Sequence, residues 1–384
     1  MVQSWHGRSA DQVLSYRSFH STEINFLCVH KKLRSKRLAP VLIKEVTRQC
    51  HLTGVFQAIY TAGVVIPTPM SCARYYHRTL NAQKLIDIGF AAIPNGMSNA
   101  TFIRRYDLPK ETRTKGLREM KEADVPQVGK LLRRFMRKYD MAPRFSDAEV
   151  RHVLLSGKGK EVAGGKRERQ VTWTYVVEDA SGKITDMCSF YSLPSSVLNH
   201  PTHTVLNAAY LFYYATNVGF GDHGGATASS STSTATAASR VYAAAPVVQS
   251  TEGLEPWQKS HLTGLAESEA SDEEGVLRWD HESKETKDKI KKRLNELVND
   301  LLIIAKQNDF DVVNCLTVMD NPLFLQEQKF GPGDGFLRFY LFVRFGAVTL
   351  AVDLLADRNL VHFPELARQA SPGWHRRSSR RSGN

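Results

Sequence analysis

The sequence predicts an α/β protein, because segments with strand character alternate with segments at helical spacing. Glu23–Lys31 has the composition of a strand, and after a basic turn Leu38-Ala39-Pro40 opens a helix. A second helical segment within 116–139 precedes three strand-like segments, and a third helix from Lys287 precedes two more. With 384 residues, of which 42% are hydrophobic, the chain can form two ordinary domains with a sizeable core.

The first strand, the basic turn and the first helix together predict an anion site. Arg34, Lys36 and Arg37 lie in the turn, and Pro40 suits the first helical position, where its missing N–H costs nothing. The free N–H groups and the positive end of a helix dipole both favour an anion there. The pattern indicates a site for the pyrophosphate of a nucleotide-like carrier, although short basic runs also form ordinary surface loops.

The other elements follow from the spacing of apolar residues. The residues that predict apolar helix faces are Leu42, Ile43, Val46 and Cys50, then Val125, Val128, Leu131, Leu132 and Phe135, and finally Ile290, Leu294, Leu297, Val298, Leu301 and Leu302. The predicted strands are Val55–Val65, Val171–Val177, Ile184–Leu193, Leu206–Thr216, Phe310–Met319 and Gly335–Phe345. Pro67-Thr68-Pro69 is expected to end the first of these strands.

Three segments are not expected to contribute to a core. Residues 1–22 are polar and predict irregular structure. Gly224–Ala238 is almost entirely Gly, Ala, Ser and Thr, and an acidic run follows, so we expect a disordered insertion over 220–285. The Arg- and Ser-rich residues 368–384 are also expected to be disordered.

Composition excludes several classes of protein. The net charge of +12 is compatible with nucleic acid, anionic lipid or an acidic ligand as partner. The chain carries no RRM, zinc-finger or helix-turn-helix signature, so we expect no nucleic-acid partner. The most apolar stretch, Leu337–Leu355, is interrupted by Arg338, Arg344 and Asp353, and no apolar run opens the chain. We therefore expect neither a membrane span nor a signal peptide.

Five cysteines are scattered along the chain, and none forms a C-x-x-C pair. This usage indicates reduced thiols in a cytoplasmic protein, without a disulfide framework or a structural zinc. His200 and His203 have a loose resemblance to metal-ligand spacing, but Pro201 lies between them and a third ligand is lacking, so we expect a loop. Cys28 could act as a nucleophile only with a nearby base, and a strand histidine such as His30 is more often structural.

Two motifs resemble signatures of the N-myristoyltransferase family and occur in the family's order. Glu23–Lys31 matches E-I-N-F-L-C-x-H-K residue for residue, and Lys329–Gly335, here called the glycine loop, matches K-F-G-x-G-D-G. The turn Arg34–Ala39 also resembles the R-x-x-G-x-G/A loop of the GNAT acyltransferases, with Arg37 and Ala39 at the two glycine positions.

The resemblance extends over Glu23–Asn199 and Lys287–Tyr340. It implies a GNAT-like α/β acyltransferase fold with two pseudo-symmetric halves, of which the first is incomplete. The implied units are a divergent leader over 1–22, a partial acyl-CoA-binding half over 23–115, a peptide-binding half over 116–350 that contains the insertion, and a basic divergent tail over 351–384.

The resemblance further implies transfer of a myristoyl group from myristoyl-CoA to the N-terminal glycine amine of proteins. Myristoyl-CoA would be a co-substrate, with no separate cofactor and no metal, and the enzyme is expected to be a monomer. The amine would attack directly while the backbone N–H groups of Phe26 and Leu27 stabilise the oxyanion, and Asn25 and Thr61 would orient the amine. A strand bulge could expose these two amides, but both residues could equally be core strand residues with paired amides.

Two sets of binding residues are implied by the same resemblance. The residues for the acyl donor are Leu27, Cys28, Val29, Arg34, Ser35, Lys36, Arg37, Leu38, Ala39 and Pro40. The residues for the peptide are Tyr75, His77, Tyr191, Ser195, Tyr210, Gly333, Asp334, Gly335 and Leu337. Asp334 is expected to pair with a basic residue of the peptide, whereas the glycines alone would also suit a simple tight turn.

Both ends of the sequence depart from the family pattern. The family's leading acyl-CoA-binding segment is not present before Glu23, and the chain continues past Leu350, where the family places a terminal carboxylate that acts as the base. Asp353 is the nearest side-chain carboxylate, and we do not expect it to substitute. We therefore expect little or no acyl transfer by the chain as written. The alternatives are a non-catalytic protein that binds glycine-initiated peptides, and another GNAT acyltransferase that uses acetyl-CoA.

Overall fold

The computed structural model describes residues 2–8, 16–67, 69–139, 141–162, 167–219, 283–345 and 348–350. The helices are α1 (Leu38–Leu52), α2 (Ala82–Asp87), α3 (Asn99–Arg105), α4 (Val125–Met136), α5 (Asp147–Leu155) and α6 (Lys284–Gln307). The strands are β1 (Val2–Arg8), β2 (Tyr16–Glu23), β3 (Gln57–Ala62), β4 (Ser71–Thr79), β5 (Leu117–Glu119), β6 (Met141–Pro143), β7 (Lys160–Glu161), β8 (Arg167–Glu168), β9 (Thr172–Glu178), β10 (Ile184–Ser192), β11 (Ser195–Ser196), β12 (Val205–Leu206), β13 (Ala208–Thr216), β14 (Val312–Leu316), β15 (Gly331–Phe345) and β16 (Val348–Leu350).

Twelve of these strands form one mixed sheet. Its order is β5-β9-β10-β13-β14-β4-β15-β3-β2-β1-β6, and β16 pairs with β15. Within the described part of the sheet, the parallel neighbours are β2 with β3 and β13 with β14. Helix α1 lies in the sequence between the first two strands and α6 between the second two, so each half contains a strand-helix-strand unit.

The second half contains the main core. Helices α4 and α6 bury the apolar faces that the sequence predicts, including Leu132 and Phe135 on α4 and Leu294 and Leu301 on α6. These side chains join residues of β10, β13 and β14 in one buried cluster. Ser283 caps α6 by accepting the N–H of Thr286 at 3.1 Å, so the helix begins earlier than the predicted Lys287.

The structure predicted for the beginning of the chain is wrong in two respects. Residues 1–22 were expected to be irregular, but most of them lie in β1 and β2, which pair with each other in the sheet. The strand expected over Glu23–Lys31 ends at Glu23. The polar composition of residues 1–22 did not predict these two strands, because a β ladder is formed by backbone hydrogen bonds and does not require apolar side chains. The second strand ends early because the chain reaches a left-handed conformation at Phe26, with φ of 56°.

Two further predicted elements differ in extent. Val55–Val65 was expected to be a buried strand, but β3 is shorter, and Val64 and Val65 are 71% and 69% exposed. An apolar run alone does not show where a strand ends. The glycine loop was expected to precede its strand, yet β15 already starts at Gly331, with a break in register between Pro332 and Phe336. Residues 220–282 of the predicted insertion, and residues 351–384, lie outside the described residues.

Candidate active site

A row of four side chains crosses the centre of the sheet. His77 on β4 pairs with Asn314 on β14, Asn314 pairs with Tyr210 on β13, and Tyr210 pairs with Tyr191 on β10. Directly paired residues point to the same face of a sheet, so the four side chains are neighbours. Nδ1 of His77 lies 2.6 Å from Oδ1 of Asn314, and the rings of Tyr191 and Tyr210 stack with centroids 5.4 Å apart.

The glycine loop lies against one end of this row. Gly331 pairs with His77 across the ladder. A Cβ atom on Gly333 would lie under 3.0 Å from Nε2 of His77, and one on Gly335 would lie 3.0 Å from Cδ2 of Tyr75. The two glycines are therefore needed for close approach, which a simple turn would not require. The prediction that Tyr75, His77 and the glycine loop lie together agrees with this geometry.

Burial favours the neutral forms of three side chains on this face, His77, Tyr75 and Tyr210. Desolvation lowers the pKa of His77, and both the hydrogen bond with Asn314 and the charge of Asp334 oppose this effect. Desolvation also raises the pKa of Tyr75 and of Tyr210. The hydroxyl oxygen of Tyr75 is buried and has no hydrogen-bond partner within the described residues. A buried hydroxyl of this kind offers a place for a polar group of a ligand.

Asn25 and Thr61 lie where the two strands of the first parallel pair separate. The last paired residues are Glu23 and Ile59, and the N–H of Ile24 donates to the carbonyl of Ile59 at 2.9 Å. Asn25 and Thr61 each follow two residues beyond the last pair. The strands diverge at this point because the left-handed backbone at Phe26 cannot continue an extended ladder.

Thr61, at this corner of the sheet, and the central row from His77 to Tyr191 share one face of the sheet. Thr61 pairs with Phe339, and Leu337, two residues before it on β15, pairs with Ala73. Ala73 is two residues before Tyr75 on β4. Because side chains alternate along a strand, Thr61, Leu337 and Tyr75 all point to the same side. The face is apolar between the two ends, where Ala73, Leu337 and Phe339 are buried in one cluster.

Phe26 and Leu27 are outside any strand. Their side chains are 48% and 41% exposed, so the alternative in which both are core strand residues is wrong. Cys28 and His30 are exposed in the same irregular segment. Nδ1 of His30 accepts the N–H of Lys32 at 3.3 Å, so His30 caps the short helical turn that follows. This arrangement does not support Cys28 and His30 as a nucleophile and its base.

The start of α1 has the features of an anion site. Arg37 precedes the helix with φ of 54°, its side chain does not cap the helix, and the first turn contains no acidic residue. The left-handed φ explains why the GNAT motif has glycine at this position. The helix begins at Leu38, so the expectation that Pro40 occupies the first helical position is wrong. Pro40 is the third helical residue, where an N–H would still lack a helical partner.

Helix α1 packs only loosely on the rest of the described structure. None of its residues is buried, and the exposed apolar side chains include Val41, Leu42 and Ile43. The predicted apolar face is therefore present in position but open to solvent. Arg34, Ser35 and Lys36 are exposed as well, and the Nε of Arg34 donates to the carbonyl of Val29 at 3.3 Å. The donor-site residues expected from the sequence thus form one segment from Leu27 to Pro40, which is exposed except for the half-buried Val29 and Ala39.

Ser195 lies apart from the large sheet. It belongs to the small β11–β12 sheet, where it pairs with Leu206, just before β13 begins. His200 and His203 lie in the loop between these strands, and Nδ1 of His200 accepts the N–H of His203 at 3.0 Å. This confirms a loop. No group of three or more His, Cys, Asp or Glu side chains in the described ranges could hold a metal ion.

Sequence reasoning missed Asn314. It lies in the buried strand Val312–Leu316, in which the other four residues are apolar. An isolated amide in such a strand needs a hydrogen-bond partner, and this was the available signal. Its partners are on two other strands, however, and only the register of the sheet identifies them. Among the described residues, no helix is long and apolar enough to cross a membrane.

Comparison with known families identifies both halves of the chain. Residues 5–73 match the N-terminal domain of myristoyl-CoA:protein N-myristoyltransferase, and residues 87–349 match its C-terminal domain. The first match starts at residue 5, so the expectation that residues 1–22 diverge from the family is wrong for most of that segment.

Individual relatives agree with the family match. The glycylpeptide N-tetradecanoyltransferase of Mycosarcoma maydis is 61% identical over 331 residues, which are 85% of this chain and 47% of that protein. The corresponding protein of Schizosaccharomyces pombe is 43% identical over 321 residues, or 83% of this chain and 55% of that protein. The chain spans about half the length of the curated relatives it matches.

A solved structure also matches. Saccharomyces cerevisiae N-myristoyltransferase with bound myristoyl-CoA superposes with a TM-score of 0.67 at 36% identity, over 89% of this chain and 62% of that one. The α/β class and the GNAT-like fold expected from the sequence are confirmed. By the family match, which covers well over half of its residues, the chain belongs to the myristoyl-CoA:protein N-myristoyltransferase family.

Proposed function

We propose that this site transfers a myristoyl group from myristoyl-CoA to the N-terminal glycine amine of a protein. The observation that carries the proposal is the shared sheet face. It joins the corner at Asn25 and Thr61 to the row from His77 to Tyr191. A peptide bound along the row and the glycine loop would extend toward the corner, where its terminal amine would meet the thioester.

The reaction needs an orienting group, an oxyanion site and a leaving thiol. The free amine attacks the thioester carbonyl and a C–N bond forms. The C–S bond then breaks, and the leaving sulfur takes up the proton that the amine loses, so that CoA leaves as its thiol. Asn25 and Thr61 orient the amine, and the backbone N–H groups of Phe26 and Leu27 donate to the oxyanion. Glycine suits this attack because its unbranched Cα lets the amine approach without steric conflict.

The donor would bind along the segment from Leu27 to Pro40. The pyrophosphate of CoA fits the start of α1, where backbone N–H groups, Arg34, Lys36 and Arg37 provide positive charge. Cys28, Val29, Ser35, Leu38 and Ala39 complete this segment. The observed left-handed backbone at Ser35 and Arg37 supports the assignment, since it turns the chain into the helix start.

The peptide would bind through Tyr75, His77, Tyr191, Ser195 and Tyr210, with Gly333, Asp334, Gly335 and Leu337 from β15. Desolvation lowers the pKa of His77 and so favours the neutral ring, which suits hydrogen bonding to an uncharged peptide group. Asp334 would pair with a basic residue of the peptide. We also propose that the protein acts as a monomer in the cytoplasm, which the five free cysteines support.

Mass spectrometry tests the transfer. The chain is incubated with myristoyl-CoA and with two peptides that differ only in an N-terminal glycine or an N-terminal valine. A tetradecanoyl group is expected on the amine of the glycine peptide alone, and this result would overturn the expectation of little or no acyl transfer stated from the sequence. Thr61→Val should lower the rate of transfer without weakening peptide binding, whereas Thr61→Ser should keep most of the rate. Absence of acylation would refute the proposal, whether or not the peptide binds.

A second candidate is peptide binding without transfer. The exposure of α1, which has no buried residue, favours it, because the donor segment packs less firmly than the peptide face. In that case the glycine peptide binds, but no tetradecanoyl product forms and CoA does not bind. Measurements of acylation, peptide binding and CoA binding therefore separate the two candidates.

A further inference from the structure

Asn314 is a buried amide in an otherwise apolar strand. Its neighbours Val313 and Cys315 belong to the main core on the other face of the sheet, whereas Asn314 points to the face of the candidate site. Asn314 is only 4% exposed. A buried amide is costly unless both its ends form hydrogen bonds. The ladder places His77 on one side of it and Tyr210 on the other.

The two neighbours determine which end of the amide faces which strand. Oδ1 of Asn314 lies 2.6 Å from Nδ1 of His77, and an amide oxygen only accepts, so Nδ1 carries the proton. A side-chain hydrogen bond with Asn314 also opposes the rise that burial causes in the pKa of Tyr210. With Oδ1 turned to His77, the end of the amide that remains for Tyr210, across the ladder, is Nδ2.

The other ring nitrogen of His77 then keeps its lone pair. This atom, Nε2, lies against the glycine loop, so close that a Cβ on Gly333 would be under 3.0 Å away. The ring of Phe90 packs against the His77 ring roughly at a right angle, and the two ring centroids are 5.4 Å apart. The ionisable groups that face His77 are Asp334 on β15, Tyr75 on β4 and Tyr210 beyond Asn314.

We propose that Asn314 is a positioning residue of the peptide site, which holds His77 as the Nδ1–H tautomer so that Nε2 accepts a hydrogen bond from the bound peptide. The ligand group is then an N–H or O–H, and a group that only accepts would be rejected. The identity of the ligand rests on the proposed function, whereas the tautomer is a property of the chain alone.

Ring ¹⁵N chemical shifts test the tautomer directly. The full chain is labelled at its 13 histidines, and His77→Gln assigns the His77 signals. Wild-type His77 is expected to be Nδ1–H. Asn314→Leu has a similar shape and no polar atom, so it should lose this preference. Asn314→Asp keeps an acceptor, so it should keep the tautomer and raise the pKa of His77 by about 1 or more, because a carboxylate favours the charged ring.

The outcomes separate the positioning role from the proposed function. The role is overturned if wild-type His77 carries its proton on Nε2, or if Asn314→Leu leaves the tautomer unchanged. If Asn314→Leu does not fold, an unchanged pKa of His77 in Asn314→Asp overturns it instead. Calorimetry should show binding of a glycine-initiated peptide that is roughly fivefold to tenfold weaker in Asn314→Leu, the effect of one hydrogen bond. If the wild type binds no such peptide, the proposed function fails, while the shifts still decide the role of Asn314.

Discussion

Gly333 approaches the His77 ring so closely that a Cβ atom at position 333 would lie under 3.0 Å from Nε2. The same atom would lie 3.2 Å from the carbonyl oxygen of Tyr75, so neither neighbour can move away freely. The glycine loop and β4 therefore define one wall of the proposed peptide site. The relationship makes the glycine at 333 a requirement of packing, independently of any motif.

Alanine at position 333 should disrupt this wall. Overpacking costs about 1–3 kcal/mol, so Gly333→Ala should weaken binding of a glycine-initiated peptide by about tenfold. Gly331→Ala is the matched control, because a Cβ at 331 would be 4.0 Å from the His77 carbonyl oxygen, an ordinary contact. Calorimetric titration measures both variants. Equal affinity of the two variants would contradict the geometry.

The left-handed backbone at Arg37 predicts that glycine at this position stabilises the start of α1. A residue with a Cβ costs about 1 kcal/mol in this region, so Arg37→Gly should stabilise the start of α1 relative to Arg37→Ala. Both variants lose the same charge, and the comparison isolates the backbone. Amide hydrogen exchange in the first turn of α1 should be about fivefold slower in the glycine variant. Identical exchange would show that position 37 is not left-handed in solution.

The anion site proposed at the start of α1 predicts that loss of a positive charge weakens CoA binding only near that helix end. Lys36→Gln should weaken CoA binding by about threefold to tenfold, since a charge-assisted contact with phosphate is lost. Lys44→Gln removes the same charge from α1 beyond its first turn and should leave binding unchanged. Added salt should reduce the difference between wild type and Lys36→Gln through screening. A larger loss in Lys44→Gln would place the pyrophosphate elsewhere.

Burial of His77 predicts a pH effect on stability. Its pKa is lowered from 6.5 in the folded chain, so the unfolded chain binds this proton more readily. Stability should therefore fall as the pH drops below 6.5 and level off below the folded-state pKa. His77→Gln should remove this part of the decline. Urea unfolding of the wild type and of His77→Gln over a pH series measures the difference between their free energies of unfolding. This difference should shrink as the pH falls, and a difference that stays constant with pH would contradict the prediction.

The helices of the second half could be predicted from the sequence because each buries a strong apolar face. Phe135 and Leu294 lie in the core as their spacing indicates. The end of β2 could not be predicted, because the composition of Glu23–Lys31 suits a strand and the left-handed backbone at Phe26 depends on how the chain leaves its partner. β1 and β2 were missed because their polar sequence gives no apolar periodicity.

The residues of the candidate site also divide into those that the sequence predicted and those that it did not. The family resemblance predicted Tyr75, His77 and the glycine loop as peptide-binding residues, but their contacts depend on the register of β4 with β14 and β15. Asn314 illustrates the limit, because a single polar residue in an apolar strand indicates a partner without identifying it. The partner, His77, is 237 positions away in the sequence, and only strand pairing brings the two together.

The central claim is that one sheet face joins the central row, from His77 to Tyr191, to the corner at Asn25 and Thr61. Calorimetric titration with three peptides that differ only at the N-terminus tests it most directly: glycine with a free amine, N-acetylglycine and valine. The account predicts saturable binding of the first and at least about tenfold weaker binding of the other two, because the corner admits only an unbranched residue with a free amine. Equal affinity for all three peptides, or no binding of the first, would contradict it.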